Sequence, residues 1–154
     1  MPYTDVRDYI EELARRNLLH VIEDEISKDT ELVPLVRLQF RGLPEPERKA
    51  FWFKNVTDAR GVNYDSSVLL GSLGSSRVIY GAALGVGPDG IAAKWASTHG
   101  NHLPTNSVGA ENAPVKQVVL KAPNMGKGVD TFPHLVSTPG FDPAPFITAG
   151  VWVT

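Results

Sequence analysis

The side chains able to do chemistry in this sequence are few and scattered. His99-Gly100-Asn101-His102 sets two imidazoles three residues apart, close enough to share a metal ion if the backbone turns them together. With glycine between them, no cysteine in the chain and no nearby carboxylate as a third ligand, these residues read better as a solvated loop. His134, within Phe132-Pro133-His134-Leu135, has the right type for a general base, but no neighbour in the sequence would orient its ring. Gly81-Ala82-Ala83-Leu84-Gly85-Val86-Gly87 is glycine-rich, yet it closes a predicted helix, whereas a dinucleotide fingerprint follows a strand and opens one. Its glycines are therefore expected to stop the helix. Glu23-Asp24-Glu25 is expected to be a solvated charged turn after a strand rather than a cation site. No Ser/His/Asp set or carboxylate pair can be assigned.

Composition narrows the function classes. A chain of 154 residues with 42% hydrophobic and 21% charged residues fits one folded domain. A formal charge of −2 argues against nucleic acid or an anionic membrane surface as the main partner. The absence of cysteine removes disulfides and thiolate metal sites. No secretion signal opens the chain and no apolar run has the length of a membrane span, so the expected location is cytoplasmic. Residues 1–60 carry 12 of the 17 acidic and 10 of the 15 basic side chains, while residues 61–154 carry 13 of the 14 glycines. Scarce charge over so long a segment suggests a surface covered by more protein or by a ligand, although an uncharged loop region explains it equally well.

The elements that would position any site alternate between helix and strand. Thr4 or Asp5 can cap a first helix bearing Val6, Tyr9, Ile10 and Leu13 at helical spacing, with Asn17 as a left-handed stop. A short strand is predicted at residues 18–22, and then a second helix to about Arg41 with Leu32, Leu35, Val36 and Phe40 on one face. Pro34 suits that helix only if regular hydrogen bonding begins near it. Pro44-Glu45-Pro46-Glu47 reads as an extended linker, and residues 50–54 and 67–70 as buried strands. A third helix starts at Ser75 or Ser76, packs Val78, Ile79, Ala82 and Ala83, and ends at Gly85. Asp89 is a cap for a fourth holding Ile91, Ala92 and Trp95; loop follows to Ala113, and then a strand at residues 115–120. The last nine residues, from Phe146 to Thr154, read as a strand still running where the sequence stops, which is the pattern expected of a piece of something larger.

The order of these segments resembles the N-terminal part of the UbiD family, the prenylated-flavin-dependent reversible decarboxylases. The resemblance runs through Val6-Arg7-Asp8-Tyr9-Ile10, Leu18-Leu19-His20-Val21-Ile22, Asp24-Glu25-Ile26-Ser27 and Phe51-Trp52-Phe53-Lys54-Asn55-Val56. It continues in Leu70-Gly71-Ser72-Leu73-Gly74-Ser75, Ala113-Pro114-Val115-Lys116-Gln117-Val118-Val119-Leu120 and Val129-Asp130-Thr131-Phe132-Pro133. It is most specific at Pro145-Phe146-Ile147-Thr148-Ala149-Gly150, the strand that in this family enters the flavin-binding core. One departure is local: Gly140-Phe141-Asp142-Pro143-Ala144-Pro145 inserts Phe141 and places Ala144 where the family has glycine.

The resemblance implies an α/β fold, with a UbiD-like N-terminal lobe over residues 1–113 leading into the first strand of a split-barrel flavin-binding domain that begins over 114–154. It implies that Thr148 lies beside prenylated FMN, flanked by Ile147 and Ala149, although a threonine here is also an ordinary strand residue. In the family, the flavin adds across an aromatic or α,β-unsaturated carboxylic acid, CO2 is lost, and a glutamic acid returns the proton. Manganese and potassium anchor the flavin phosphate. The family's metal ligands and catalytic Arg and Glu residues would follow Thr154, so the resemblance assigns no catalytic or metal-binding residue to this sequence. The implied protein is a small subunit or fragment of an oligomeric decarboxylase, completing its site with the remaining polypeptide. A non-catalytic assembly subunit of such an enzyme is the alternative, and an autonomous flavin-binding protein is a weaker third reading.

Overall fold

The computed structural model describes residues 3–101, 104–121, 126 and 128–146. Helix α1 (Val6–Arg15) starts where the Asp5 carboxylate accepts the Arg7 amide at 2.6 Å. It buries Tyr9 and Leu13 and leaves Val6 exposed. Asn17 ends it at φ 57°, and the amides of Asn17 and Leu18 return to the carbonyls of Ala14 and Leu13. This pairing satisfies the last carbonyls of the helix.

Strand β1 (Leu19–Ser27) is longer than the sequence suggests and contains Glu23, Asp24 and Glu25, which are not a turn. Its parallel pairing with β2 (Ala50–Thr57) resumes after a bulge between Ile22 and Glu25, and burial of Ile26 holds the far half in place. The acidic side chains stand exposed, and Glu23 reaches Lys54 at 2.8 Å. Charges and a bulge at a sheet edge discourage pairing with other chains.

Helix α2 (Leu32–Gly42) forms the crossover from β1 to β2. Pro34 lies in its first turn, where no amide donor is required, and Leu35 makes the first regular bond, to the Glu31 carbonyl at 2.9 Å. The buried face holds Leu32, Val36 and Gln39, whereas Phe40 is exposed beneath the Arg48 guanidinium. Polar Gln39 displaces Phe40 because the start of β2 needs hydrogen-bond partners. The Gln39 Oε1 accepts from the Lys49 amide at 2.8 Å, and its Nε2 donates to the Lys49 carbonyl at 3.0 Å and to Ser75 Oγ at 3.1 Å. Glu45–Glu47 is a 3-10 turn rather than an extended linker, since Pro46 fixes a φ compatible with turning and Glu45 bonds the Arg77 amide at 2.7 Å.

Central β2 pairs on its other side with two short antiparallel strands, β3 (Asn63–Tyr64) at its end and β4 (Val68–Leu70) at its start. Two apolar clusters meet along it. One joins Ile26, Leu32, Val36, Phe51, Phe53, Val56, Val68 and Leu135; the other joins Tyr9, Leu13, Ala50, Ile79 and Ala82. The second locks α1 against α3 (Arg77–Leu84), which Ser76 caps and Gly85 ends at φ 70°. Gly81 is required by packing, for a Cβ there would lie 2.6 Å from the Val86 carbonyl oxygen.

Helix α4 (Ile91–Thr98) buries none of its residues. Asp89 lies in the preceding 3-10 turn and does not cap it, because the turn carries the chain past the cap position and leaves Gly90 there. Trp95 is half exposed and donates its indole N–H to the Tyr80 hydroxyl. The strand expected at residues 115–120 is instead a 3-10 turn at Pro114–Lys116 followed by irregular chain. Val115 is 82% exposed, and a strand has no stability without a partner to pair with. Among the described residues, no helix is long and apolar enough to cross a membrane.

Two measurements check this packing. Gln39→Leu strands a partly buried amide and carbonyl and a buried hydroxyl, and should cost about 2 kcal/mol, read from the urea midpoint. The Tyr9 hydroxyl lies 2.7 Å from the Ser72 carbonyl and 2.9 Å from that of Ile79, and burial pushes its pKa up to about 12 from 10.0. The fold retains the neutral phenol, so this contribution is complete below the unfolded value of 10.0 and is lost as pH rises toward about 12. Stability should fall across that alkaline window in the native chain, and Tyr9→Phe should flatten the fall.

Candidate functional site

Parallel β1 and β2 end side by side at Ser27 and Thr57. Ligands of open α/β sheets sit beyond the carboxyl ends of such strands. A cleft of about 740 Å³ opens there, between the loops that leave the two strands and the segment around His134.

Its strand-side wall is built from paired charges. Lys28 is buried, and a buried ammonium needs compensation. Its Nζ lies 2.6 Å from Asp29 Oδ1 and 5.8 Å from the centre of the Tyr64 ring. Asp29 Oδ2 in turn accepts the Ala59 amide at 2.9 Å, tying the β1 exit to the β2–β3 turn. Asp58 accepts the amides of Arg60 and Val62 at 2.8 and 2.9 Å, together with the Arg60 guanidinium. The Val62 amide above all, then the Arg60 side chain and amide, hold its carboxyl below the ordinary range against the opposing effect of burial. Carboxylates so fully bonded shape a wall and are poorly placed to exchange protons.

His134 forms part of the opposite wall. Its Nε2 is buried and has no hydrogen-bond partner among the described residues. His99 is exposed just after α4, and His102 lies outside the described residues. Among the described residues no three His, Asp or Glu side chains converge as a metal site. The Gly81–Gly87 run closes α3, and its geometry is that of a helix stop.

Ile147, Thr148 and Ala149 also lie outside the described residues. Just before them, the Phe146 amide donates to the Leu135 carbonyl at 2.9 Å and the Phe146 carbonyl accepts the Leu135 amide at 3.3 Å. Leu135 is packed in the larger core cluster. Arg37 of α2 reaches the same region, with Nη2 3.2 Å from the Ser137 carbonyl, 3.0 Å from Ser137 Oγ and 3.2 Å from Thr138 Oγ1. Sequence reasoning missed these anchors. The Asp58-Ala59-Arg60-Gly61 run carries a turn signal that could have revealed the charged wall, whereas the Arg37 contact spans about a hundred residues and has no local signature.

No family model and no curated protein matches the sequence. Solved structures do match its fold. An evolved dimeric form of the UbiD-class enzyme HmfF from Pelotomaculum thermopropionicum, in complex with prFMN, aligns at TM-score 0.74 and 23% identity over 96% of this chain and 31% of that one. The same enzyme in complex with FMN aligns at 0.60 and 21% identity, over 77% and 24% of the two chains. The closed form of Sedimentibacter hydroxybenzoicus vanillic acid decarboxylase (ShVdcCD) aligns at 0.64 and 18% identity, over 90% and 28%. The chain therefore has the mixed α/β fold found in UbiD-class prenylated-flavin enzymes, and it covers 24% to 31% of their length.

The charged wall makes a prediction about acid. The folded pKa of Asp58 is depressed, so its contribution is present above the ordinary 3.8 and is lost as pH falls below that value through the folded pKa. Urea midpoints followed down to about pH 2 should drop in the native chain, and Asp58→Asn should show lower stability at neutral pH with a shallower acid limb. An unchanged acid limb in that variant would assign the drop to other carboxylates.

Proposed function

We propose that this chain is the N-terminal part of a UbiD-like reversible decarboxylase, and that it completes a prenylated-FMN site together with the remaining polypeptide. The observation that carries this reading is the fold likeness, over 96% of the chain, to a UbiD-class enzyme in complex with prFMN. Residues 1–113 would form its N-terminal lobe, and residues 114–154 the start of the flavin-binding split barrel. The substrate class is an aromatic or α,β-unsaturated carboxylic acid, and the assembly works in the cytoplasm as an oligomer.

When bound, prenylated FMN supplies the electron sink for loss of CO2. This chain's part is to hold the flavin edge. The Thr148 hydroxyl would hydrogen-bond the ring system with Ile147 and Ala149 flanking it, and the catalytic Arg and Glu would come from the partner polypeptide. The ligands of manganese and potassium would come from there as well. Surface composition supports the need for a partner. Val115, Val118, Val119 and Leu120, close together in sequence, are all more than half exposed, and large apolar side chains exposed in one short segment favour an interaction role.

That exposure also favours the second reading, an assembly subunit that never touches flavin. Thr148→Val separates the two. Loss of one hydrogen bond worth about 1 kcal/mol should weaken flavin binding by the assembled complex roughly fivefold, measured by flavin fluorescence. Unchanged affinity would favour the assembly subunit. A fully flavin-loaded complex that decarboxylates no unsaturated or aromatic acid would refute the decarboxylase reading itself.

A further inference from the structure

We infer that the outer stripe of α2 and the loop at residues 137–139 form a docking groove for an acidic segment of a partner protein, which inserts one large apolar side chain between its carboxylates. Pro34, Arg37, Leu38 and Arg41 recur at i, i+3, i+4 and i+7, the spacing of a single helix face. Leu32, Val36 and Gln39 are buried on the opposite side. With Ser137 and Pro139, the outer stripe lines a groove of about 190 Å³. Small-molecule sites usually enclose roughly 300–1,000 Å³, so this one has room for a side chain rather than a whole ligand.

The groove is apolar and purely basic. Pro34, Leu38 and Pro139 supply the apolar surface, and Leu38 is 61% exposed. A helix with apolar side chains on its outer as well as its inner face is the kind that further protein covers. Helix α1 shows the contrast, since its outer face carries Arg7, Asp8, Glu11 and Arg15, charges of both signs. No Asp or Glu lies between Glu31 and Glu45, and none lines the groove. Among the described residues, no carboxylate comes within ion-pair distance of Arg37 or Arg41. Arg37 directs only Nη2 to Ser137 and Thr138, at 3.0 to 3.2 Å, and that contact holds the loop in place as the second wall. Carboxylates of the partner complement the two arginines at the rim, where charge sets partner choice and association rate, while the inserted apolar side chain supplies affinity. Nothing in this recognition needs flavin.

The test titrates the whole chain with two synthetic helical peptides, one carrying leucines flanked by Glu and the other with Gln in place of every Glu, followed by fluorescence anisotropy. The Glu peptide should bind, the Gln peptide should bind about tenfold more weakly, and salt should narrow the gap. Arg41→Glu and Leu38→Ser, both at exposed positions, should each weaken the Glu peptide about tenfold. Their melting transitions should stay within a few degrees of the native one. Lys94→Glu makes the same charge change on exposed α4 and should leave affinity within about twofold. Equal affinity for the two peptides, or equal losses in Arg41→Glu and Lys94→Glu, overturns the groove as an acid-reading site. Sedimentation of the native chain as a dimer that Leu38→Ser separates gives the groove to a second copy. Tighter binding to phosphatidylserine vesicles than to the peptide, lost in Arg41→Glu, gives it to a lipid headgroup, and either result overturns the peptide reading.

Discussion

The carboxamide of Gln39 acts as a peptide group inserted between elements. Its oxygen takes the Lys49 amide and its nitrogen supplies the Lys49 carbonyl, so that the residue just before β2 is paired as though a strand lay beside it. The same nitrogen reaches Ser75, one residue before the cap of α3. Helix α2, the central strand and the entry to α3 therefore meet at one buried polar group. β1, β3 and β4 all take their register from β2, so an error at this joint would spread through the sheet. Space there is tight: a Cβ on Gly71, which adopts φ +70°, would lie 2.2 Å from Ser75 Oγ. Buried polar groups satisfied on every side specify one arrangement over its neighbours, because each alternative leaves a donor or acceptor stranded.

Charge is handled differently at the carboxyl ends of β1 and β2. There the Lys28–Asp29 and Asp58–Arg60 pairs join two loops through backbone amides, and neighbouring charges offset one another. The result is a wall of paired charges. The segment after α3 follows the opposite pattern, with few charges and apolar side chains directed outward from α4 and from residues 115–120.

Much of the local structure was legible because it depends on neighbours in sequence. Asp5, Asn17, Ser76 and Gly85 start and stop α1 and α3 as their residue types dictate, since caps are satisfied within a turn. Gly81 to Gly87 likewise read correctly as a helix ending. The resemblance to the UbiD family is matched at the level of fold. The misreadings involve contacts made from afar. Glu23 to Glu25 looked like a turn until pairing with β2 and burial of Ile26 drew them into a strand. Phe40 looked like core until the backbone of Lys49 required Gln39 in its place.

The sequence by itself determined the ends of α1 and α3 and the apolar strands at 50–54 and 68–70, because those properties rest on short-range sterics and on hydrophobic periodicity. Only the tertiary structure decided that Lys28 and Asp58 share a cleft, that Leu135 enters the core, and that Arg37 reaches Ser137 across about a hundred residues. Pairings of that kind leave no periodic trace. They arise when the chain closes on itself and each buried charge or amide must find a partner wherever the backbone has carried one.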